Sequence, residues 1–191
     1  MSDGAGPEVG AFAVRLVREA VERYVRTGRR LEPPPDLPRL LHEPGAAFVS
    51  LRLEGRLRGC IGRFMPARPR LVDELLASAI LAATRDPRYP PVRPDELAEI
   101  RYEVSLLEGL EPVEDLAEVD PRIYGLVVQG TRRRGGLLPG VPGVETAAQQ
   151  VVIARIKAGV RPDDPVRLFR FRARRYSETG SNPPGDLREP D

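Results

Sequence analysis

Apolar residues recur at helical spacing in three stretches of the chain, and this periodicity predicts three helices. The predicted helices cover residues 9–27, residues 69–84, and a stretch that opens at the capping box Thr146–Gln149 and ends at Gly159. Gly28 follows the first stretch at the position where a glycine closes a helix. The sequence therefore predicts three helices with two well-marked ends.

Elsewhere apolar and polar residues alternate, which is typical of strands with one buried face. Strands are predicted over Ala46–Leu53, Arg56–Phe64, Ile100–Leu107, Leu126–Gln129, Gly136–Leu138 and Val166–Arg175. The order of helices and strands predicts an α+β fold, a largely antiparallel sheet with flanking helices. We expect one domain over residues 9–176, with residues 1–8 and 177–191 as flexible tails.

The first two strands form a hairpin whose register follows from its apolar residues. A two-residue loop, Glu54-Gly55, would mix apolar and charged residues on both faces. A three-residue loop ending at Gly55 pairs Leu51 with Leu57, which the pattern favours. Phe48, Ser50, Arg58 and Cys60 then share the face opposite to Leu57 and Ile61.

Composition and charge narrow the classes of function. The 191 residues carry 30 basic and 28 acidic side chains, and Lys157 is the only lysine. With one cysteine and one histidine, the chain cannot form an internal disulfide and offers no Cys/His cluster for zinc. No signal peptide, no apolar run long enough for a membrane span and no nucleotide-binding fingerprint is present, so we expect a cytoplasmic protein without a predicted cofactor or metal.

The run Leu57–Gly62 contains the single cysteine, Cys60, between two glycines. One hypothesis is a catalytic nucleophile whose thiolate is favoured by Arg58, with Glu103 as a candidate base. His42, the only histidine, lies in the connector before the hairpin, and we assign it to the surface. The alternative is a small buried hydrophobe in a tight strand.

A second hypothesis is a binding module for a small polar or anionic ligand, or for a peptide. Arginine suits the recognition of carboxylate and phosphate groups. The candidate binding residues are Arg58, Gly59, Gly62, Asp86, Arg88, Tyr89, Glu103, Ser105 and Lys157. The two glycines would let a ligand approach closely, while Asp86, Arg88 and Glu103 are also explained as a structural ion-pair network.

A third hypothesis is nucleic-acid binding through Arg132–Arg134 and the stripe Arg170, Arg172 and Arg174. The near balance of charge and the few aromatic residues argue against it. A solvated hairpin tip and an exposed strand face explain both groups of arginines. We therefore expect no nucleic-acid partner.

Six motifs occur in the order found in one known family. They are Leu57–Gly62 (LRGCIG), Asp86–Pro91 (DPRYPP), Glu103–Leu107 (EVSLL), Tyr124–Val128 with Gly136–Pro139, Val144–Gln150, and Ile156–Gly159. This series resembles the AMMECR-type domain, in the bacterial and archaeal form known as AmmeMemoRadiSam system protein A. The resemblance spans about residues 9–176.

The resemblance implies a two-lobed α+β domain with a groove between the lobes, at the LRGCIG motif. It also implies association with a MEMO-like protein and a radical SAM protein, without naming a reaction. Two positions depart from the family pattern: Tyr124 stands where a histidine is frequent, and Gly140 stands where Asp or Gln is common. A mechanism that needs that histidine would fail in this chain.

Overall fold

Three α-helices correspond to the three helical periodicities of the sequence. In the computed structural model, which describes residues 6–178 and 180–181, they are α1 (Pro7–Thr27), α2 (Leu71–Thr84) and α3 (Ala147–Ala158). Gly28 ends α1 in the left-handed conformation, with φ of 70°. Thr146 and Gln149 form the predicted capping box of α3.

The strands pair in antiparallel fashion, and the predicted α+β class is confirmed. They are β1 (Ala47–Leu53), β2 (Arg56–Gly62), β3 (Arg101–Pro112), β4 (Gly125–Gln129), β5 (Arg134–Leu137), β6 (Arg167–Ser177) and β7 (Gly180–Ser181). β3 continues five residues beyond the predicted end at Leu107. Apolar and polar residues do not alternate regularly in its second half, so the sequence pattern did not predict that part of the strand.

Most of the predicted tails lies outside the described residues, namely residues 1–5, 179 and 182–191. The described part differs from the prediction at both ends. Pro7 and Glu8 already belong to α1, because proline is well accommodated in the first helical turn. At the other end, Ser177 pairs with Gly180 in the short β7.

The chain divides into two compact units. The first unit contains the chain up to Leu106 together with Arg175–Ser181, so it holds α1, α2 and the neighbouring strands β2, β1 and β3. The second unit, Leu107–Arg174, holds α3 and places β4 between β5 and β6. β3 and β6 contribute residues to both units.

Among the described residues, none of the helices has the length and apolar character that a membrane span requires.

The register of the β1–β2 hairpin corrects the predicted loop. The turn has two residues, Glu54 and Gly55, with φ of 51° and 74°, as a tight hairpin turn requires. Arg52 pairs with Leu57 and Leu51 pairs with Gly59, which leaves Arg58 as the extra residue of a β-bulge. The predicted partner of Leu51 was therefore wrong by two residues.

From Gly59 onward the error is two residues, which keeps each side chain on its predicted face, since strand side chains alternate with period two. Leu57 pairs with Arg52 instead of Leu51 and therefore lies on the other face from the one predicted. Ser50 pairs with Cys60 and Phe48 pairs with Gly62, so the predicted common face of Phe48, Ser50 and Cys60 is present. The opposite face carries the buried side chains Val49 and Leu51. It packs against α2 in the core of the first unit.

In the second unit, α3 lies very close to β5. A Cβ added at Gly135 would come within 2.4 Å of the Ala154 carbonyl oxygen. The inner side of the helix carries small residues, Ala147, Ala154 and Ala158, which permit this approach. Leu126, Val128 and Leu137 complete the core of this unit.

Candidate functional site

Polar side chains form a row across three strands of the first unit, on the sheet face opposite to α2. Cys60 of β2 pairs with Ser50 of β1, which in turn pairs with Glu103 of β3. The Ser50 hydroxyl lies 3.2 Å from the Cys60 sulfur, within hydrogen-bonding distance. Ser105 is two residues further along β3 and points to the same face. We call Cys60, Ser50, Glu103 and Ser105 the polar face.

Two members of the polar face are deeply buried. Glu103 is 7% exposed and Ser105 is 4% exposed, whereas Cys60 and Ser50 are half-buried. The Glu103 carboxylate is paired with the Nε of Arg52 at 2.8 Å. A buried carboxylate needs such a partner, because burial without one is costly. Arg52 was not among the predicted site residues, although strand alternation places it on the same face of β1 as Phe48 and Ser50, which is a usable signal.

An apolar wall adjoins the polar face. Phe48, one row away from Ser50, pairs across the strands with Ser105 and with Gly62. Its ring lies 4.8 Å from that of Phe64, in a tilted arrangement. The face thus offers hydrogen-bonding groups beside an aromatic surface, a combination that is common in sites for small ligands.

Asp86 and Arg88 occupy the free edge of β2 at Cys60. The Cys60 amide donates to Oδ2 of Asp86 at 2.8 Å, and Nη2 of Arg88 donates to the Cys60 carbonyl oxygen at 3.2 Å. Together the two side chains satisfy the same groups that a neighbouring strand would satisfy. The free edge is therefore protected from pairing with another chain at this residue.

The same ion pair determines the charge state of Asp86. The Arg88 guanidinium donates to both carboxylate oxygens, at 2.9 and 2.7 Å. These bonds, with the amides of Cys60 and Arg88, hold the pKa of Asp86 at about 2, below its ordinary value, even though burial acts to raise it. Asp86 is thus ionised at neutral pH and is a poor candidate for a general base.

Arg88 also remains accessible to a ligand. Its side chain is 53% exposed, and its guanidinium lies 5.5 Å from the ring centroid of Tyr89. Asp86 and Tyr89 hold the guanidinium in one orientation, which lowers the entropy lost when it binds an anion. Nε and Nη2 are engaged by Asp86 and the Cys60 carbonyl oxygen, which leaves Nη1 for a ligand, and the participation of Arg88 and Tyr89 in binding stays a prediction.

Arg58 has a different environment from the one that the sequence predicts. Its guanidinium forms a bidentate pair with Glu96, at 2.7 and 3.0 Å, and donates to the carbonyl oxygens of Pro90 and Pro91. The hydrogen bonds from Arg58 lower the pKa of Glu96. The arginine that bonds to Cys60 is Arg88, so Arg58 ties β2 to the proline-rich loop instead of serving Cys60.

The glycines of the LRGCIG motif also have internal neighbours. A Cβ added at Gly59 would lie 2.3 Å from the Ala82 carbonyl oxygen of α2, and one at Gly62 would lie 2.3 Å from the Ala47 carbonyl oxygen. The predicted close approach is real, but it is made by the protein's own helix and strand. The interpretation of these glycines as the floor of a ligand site is corrected accordingly.

Lys157 lies in the second unit, in the last turn of α3, with its side chain exposed. A cation there interacts favourably with the negative end of the helix dipole. His42, in a short 3-10 helix, is exposed as expected. Within the described residues, no group of three His, Cys, Asp or Glu side chains is placed to hold a metal ion.

Two arginines of the β6 stripe pair with carboxylates of the second unit, while the third, Arg172, donates to the Tyr124 hydroxyl. Arg170 pairs with Glu111 and Glu118, at 3.2 and 3.3 Å, and Arg174 lies 3.7 Å from Glu108. Engaged arginines have fewer donors left for phosphates. The expectation that this stripe does not bind nucleic acid stays a prediction.

The two positions that depart from the family pattern have local explanations. Tyr124 accepts a hydrogen bond from Arg172 at 2.9 Å, and the guanidiniums of Arg170 and Arg172 lie 4.9 and 5.2 Å from its ring centroid. Gly140 has φ of 67°, and its amide donates to the Pro121 carbonyl oxygen at 2.8 Å. That conformation disfavours Asp or Gln at this position.

Comparisons with known proteins identify relatives over almost the whole chain. A protein of Thermotoga maritima is 46% identical over 166 residues, which cover 85% of this chain and 95% of that protein. A crystal structure of an uncharacterised protein from Pyrococcus horikoshii is 33% identical, with a TM-score of 0.85, and covers 93% of this chain and 98% of that one.

A longer relative shows the same region within a larger protein. A protein of Clostridium acetobutylicum is 35% identical over 168 residues, which cover 87% of this chain but only 36% of that protein. Residues 14–177 match the family described as AMMECR1. The predicted resemblance is thereby confirmed, and the chain belongs to the AMMECR1 family.

Proposed function

We propose that the polar face binds a small polar ligand or a short peptide, and that Arg88 and Tyr89 hold an anionic group of it. The observation that carries this proposal is the burial of Glu103 and Ser105 on the sheet face opposite to the helices. Arg52 offsets the cost of burying the carboxylate, so the purpose of the cluster is inferred from its chemistry: a carboxylate, a thiol and two hydroxyls lie side by side on one sheet face. Binding is the purpose that the neighbouring groups support.

The spacing of the groups indicates the size of the ligand. Cys60 and Glu103 are separated by two strand spacings, about 10 Å. Arg88 lies beyond Cys60, at the outer edge of β2. A ligand that reaches from Glu103 to Arg88 is therefore extended and carries a hydrogen-bond donor at one end and a carboxylate or similar anion at the other.

Amide chemical shifts of the ¹⁵N-labelled protein test the proposal, with single amino acids and dipeptides as probes. We expect saturable shifts at Ser50, Cys60 and Glu103, and a Kd at least tenfold weaker in Glu103→Gln. Glu99→Gln is the matched control, because Glu99 is exposed and lies outside the polar face. Shifts confined to other residues, or unchanged binding by Glu103→Gln, would contradict the proposal.

A second candidate is covalent catalysis by Cys60, which the 3.2 Å contact with the Ser50 hydroxyl favours. A hydrogen bond donated by Ser50 would stabilise a thiolate, and Glu103 is the only acid of the polar face. Iodoacetamide at pH 7 separates the two functions. A nucleophilic Cys60 reacts much faster than free cysteine, and Ser50→Ala slows the reaction; slow labelling of both proteins excludes catalysis.

We also propose that the chain works with a MEMO-like protein and a radical SAM protein in the cytoplasm, as part of an AmmeMemoRadiSam system. The ordered motifs and the match of residues 14–177 to the AMMECR1 family support this proposal, since the resemblance is to a component of such a system. Analytical ultracentrifugation of the purified proteins from one genome is the test. We expect a faster-sedimenting complex at micromolar concentrations, and independent sedimentation would contradict the association.

A further inference from the structure

A cavity of about 330 Å³ lies at one end of the second unit, far along the chain from the polar face. One wall is the β4–β5 turn, and the other is the connection from α3 to β6. Its lining residues are Gly130, Thr131, Arg132, Arg133, Gly159, Val160, Asp164 and Pro165. We call this cavity the arginine pocket.

The walls of the arginine pocket are held by hydrogen bonds. Nη1 of Arg155 donates to the carbonyl oxygens of Arg161 and Asp164, at 2.7 and 3.0 Å. The turn is closed by the Gly130 amide, which donates to the Arg133 carbonyl oxygen at 3.0 Å. Both walls are therefore formed before any ligand arrives, which reduces the entropy lost on binding.

The pocket has a cationic lining. Its one carboxylate, Asp164, is engaged by Arg161 at 3.1 and 3.2 Å, which lowers the pKa of Asp164. Among the described residues, neither Arg132 nor Arg133 forms an ion pair. Both side chains are exposed and line the same cavity, and two like charges at one cavity favour the binding of an anion.

Gly159 makes room for one of these guanidiniums. Its φ of 61° ends α3, and a Cβ added to it would lie 2.7 Å from Nη1 of Arg133. A side chain at this position would displace Arg133 as well as strain the backbone. The absence of a side chain at Gly159 therefore allows the Arg133 guanidinium to lie against the end of α3.

We propose that the arginine pocket binds a small phosphate monoester. A phosphate dianion matches the charge of Arg132 and Arg133, whereas a carboxylate would neutralise only one of them. The Thr131 hydroxyl is a further donor, and Val160 and Pro165 provide an apolar surface for the organic part of the ligand. The volume is that of a small ligand site.

Isothermal titration with glycerol phosphate and with inorganic phosphate, at low and physiological salt, tests this site. We expect saturable binding of glycerol phosphate, with inorganic phosphate weaker, and at least a tenfold loss in Arg133→Gln and in Arg132→Gln. Arg122→Gln is the matched control, since it removes one exposed arginine from the same unit but not from the pocket. Far-UV circular dichroism checks that each variant is folded.

Three results would overturn the proposal. The first is that the wild-type protein shows no saturable binding of glycerol phosphate. The second is that the two pocket variants bind as tightly as the wild type. The third is that the protein binds only oligonucleotides, with an affinity that rises with their length. The third result would assign the arginines to a nucleic-acid surface instead. Because the arginine pocket and the polar face share no residues, the titration is independent of the proposed function.

Discussion

Replacing Asp86 with asparagine removes one charge from the link between the free edge of β2 and the loop after α2, while it preserves the shape of the side chain. The wild-type carboxylate accepts from Arg88 and from the Cys60 amide. These bonds lower its pKa from 3.8 to about 2. Such a shift corresponds to about 2.4 kcal/mol of folding free energy at neutral pH.

The sign of the pH dependence follows from the direction of the shift. A carboxyl group with a depressed pKa stabilises the folded protein fully above its unfolded value, near pH 4, and loses this contribution as the pH falls toward 2. At pH 6.5 we expect Asp86→Asn to unfold with a free energy about 2 kcal/mol below that of the wild type. At pH 2 we expect that difference to be less than half as large.

Urea unfolding followed by far-UV circular dichroism measures the free energies, and amide hydrogen exchange gives a local readout. The Cys60 amide should exchange faster in Asp86→Asn, whereas the Ile61 amide, which points toward β1, should not change. Asp95→Asn, at an exposed ion pair with Arg93, is the control and should leave both measurements unchanged. A difference between wild type and Asp86→Asn that is independent of pH would refute the electrostatic reasoning.

Three further changes should lower stability by distinct mechanisms, each measurable by urea unfolding. Gly59→Ala should cost about 1–3 kcal/mol, because its Cβ meets the Ala82 carbonyl oxygen at 2.3 Å; a neutral result would mean that α2 moves away freely. Thr146→Ala should cost about 1 kcal/mol through loss of the cap on α3, and an unchanged midpoint would contradict the capping role. Arg58→Lys should cost about 1 kcal/mol, because lysine cannot form the bidentate pair with Glu96; full stability would show that one contact suffices.

Much of the site geometry was accessible from strand alternation alone. Phe48, Ser50 and Cys60 share a face because every second residue of a strand points the same way, and an error of two residues in the strand pairing leaves that parity intact. The bulge at Arg58 was not predictable from the pattern. The two-residue turn pairs Arg52 with Leu57, while Leu51 pairs with Gly59, so one residue between them has no partner.

The hydrophobic and polar pattern could not predict hydrogen-bond partners that are distant in the chain. Arg58 was expected to act on Cys60, but it bonds to Glu96, 38 residues away, while Arg88 reaches the Cys60 carbonyl oxygen. Both arginines carry the same charge, so composition cannot distinguish them. Their roles are decided by which loop the fold brings to the free edge of β2.

The sequence by itself determined the helices, the caps of α1 and α3, the α+β class and the family, because periodicity, capping residues and ordered motifs are local properties of the chain. Only the tertiary structure decided that the LRGCIG glycines accommodate α2 and β1, that Asp86 and Arg88 protect the edge of β2, and that Glu103 is buried beside Arg52. These features arise from contacts between segments far apart in the chain. Their energies depend on distance and burial, which no local pattern encodes.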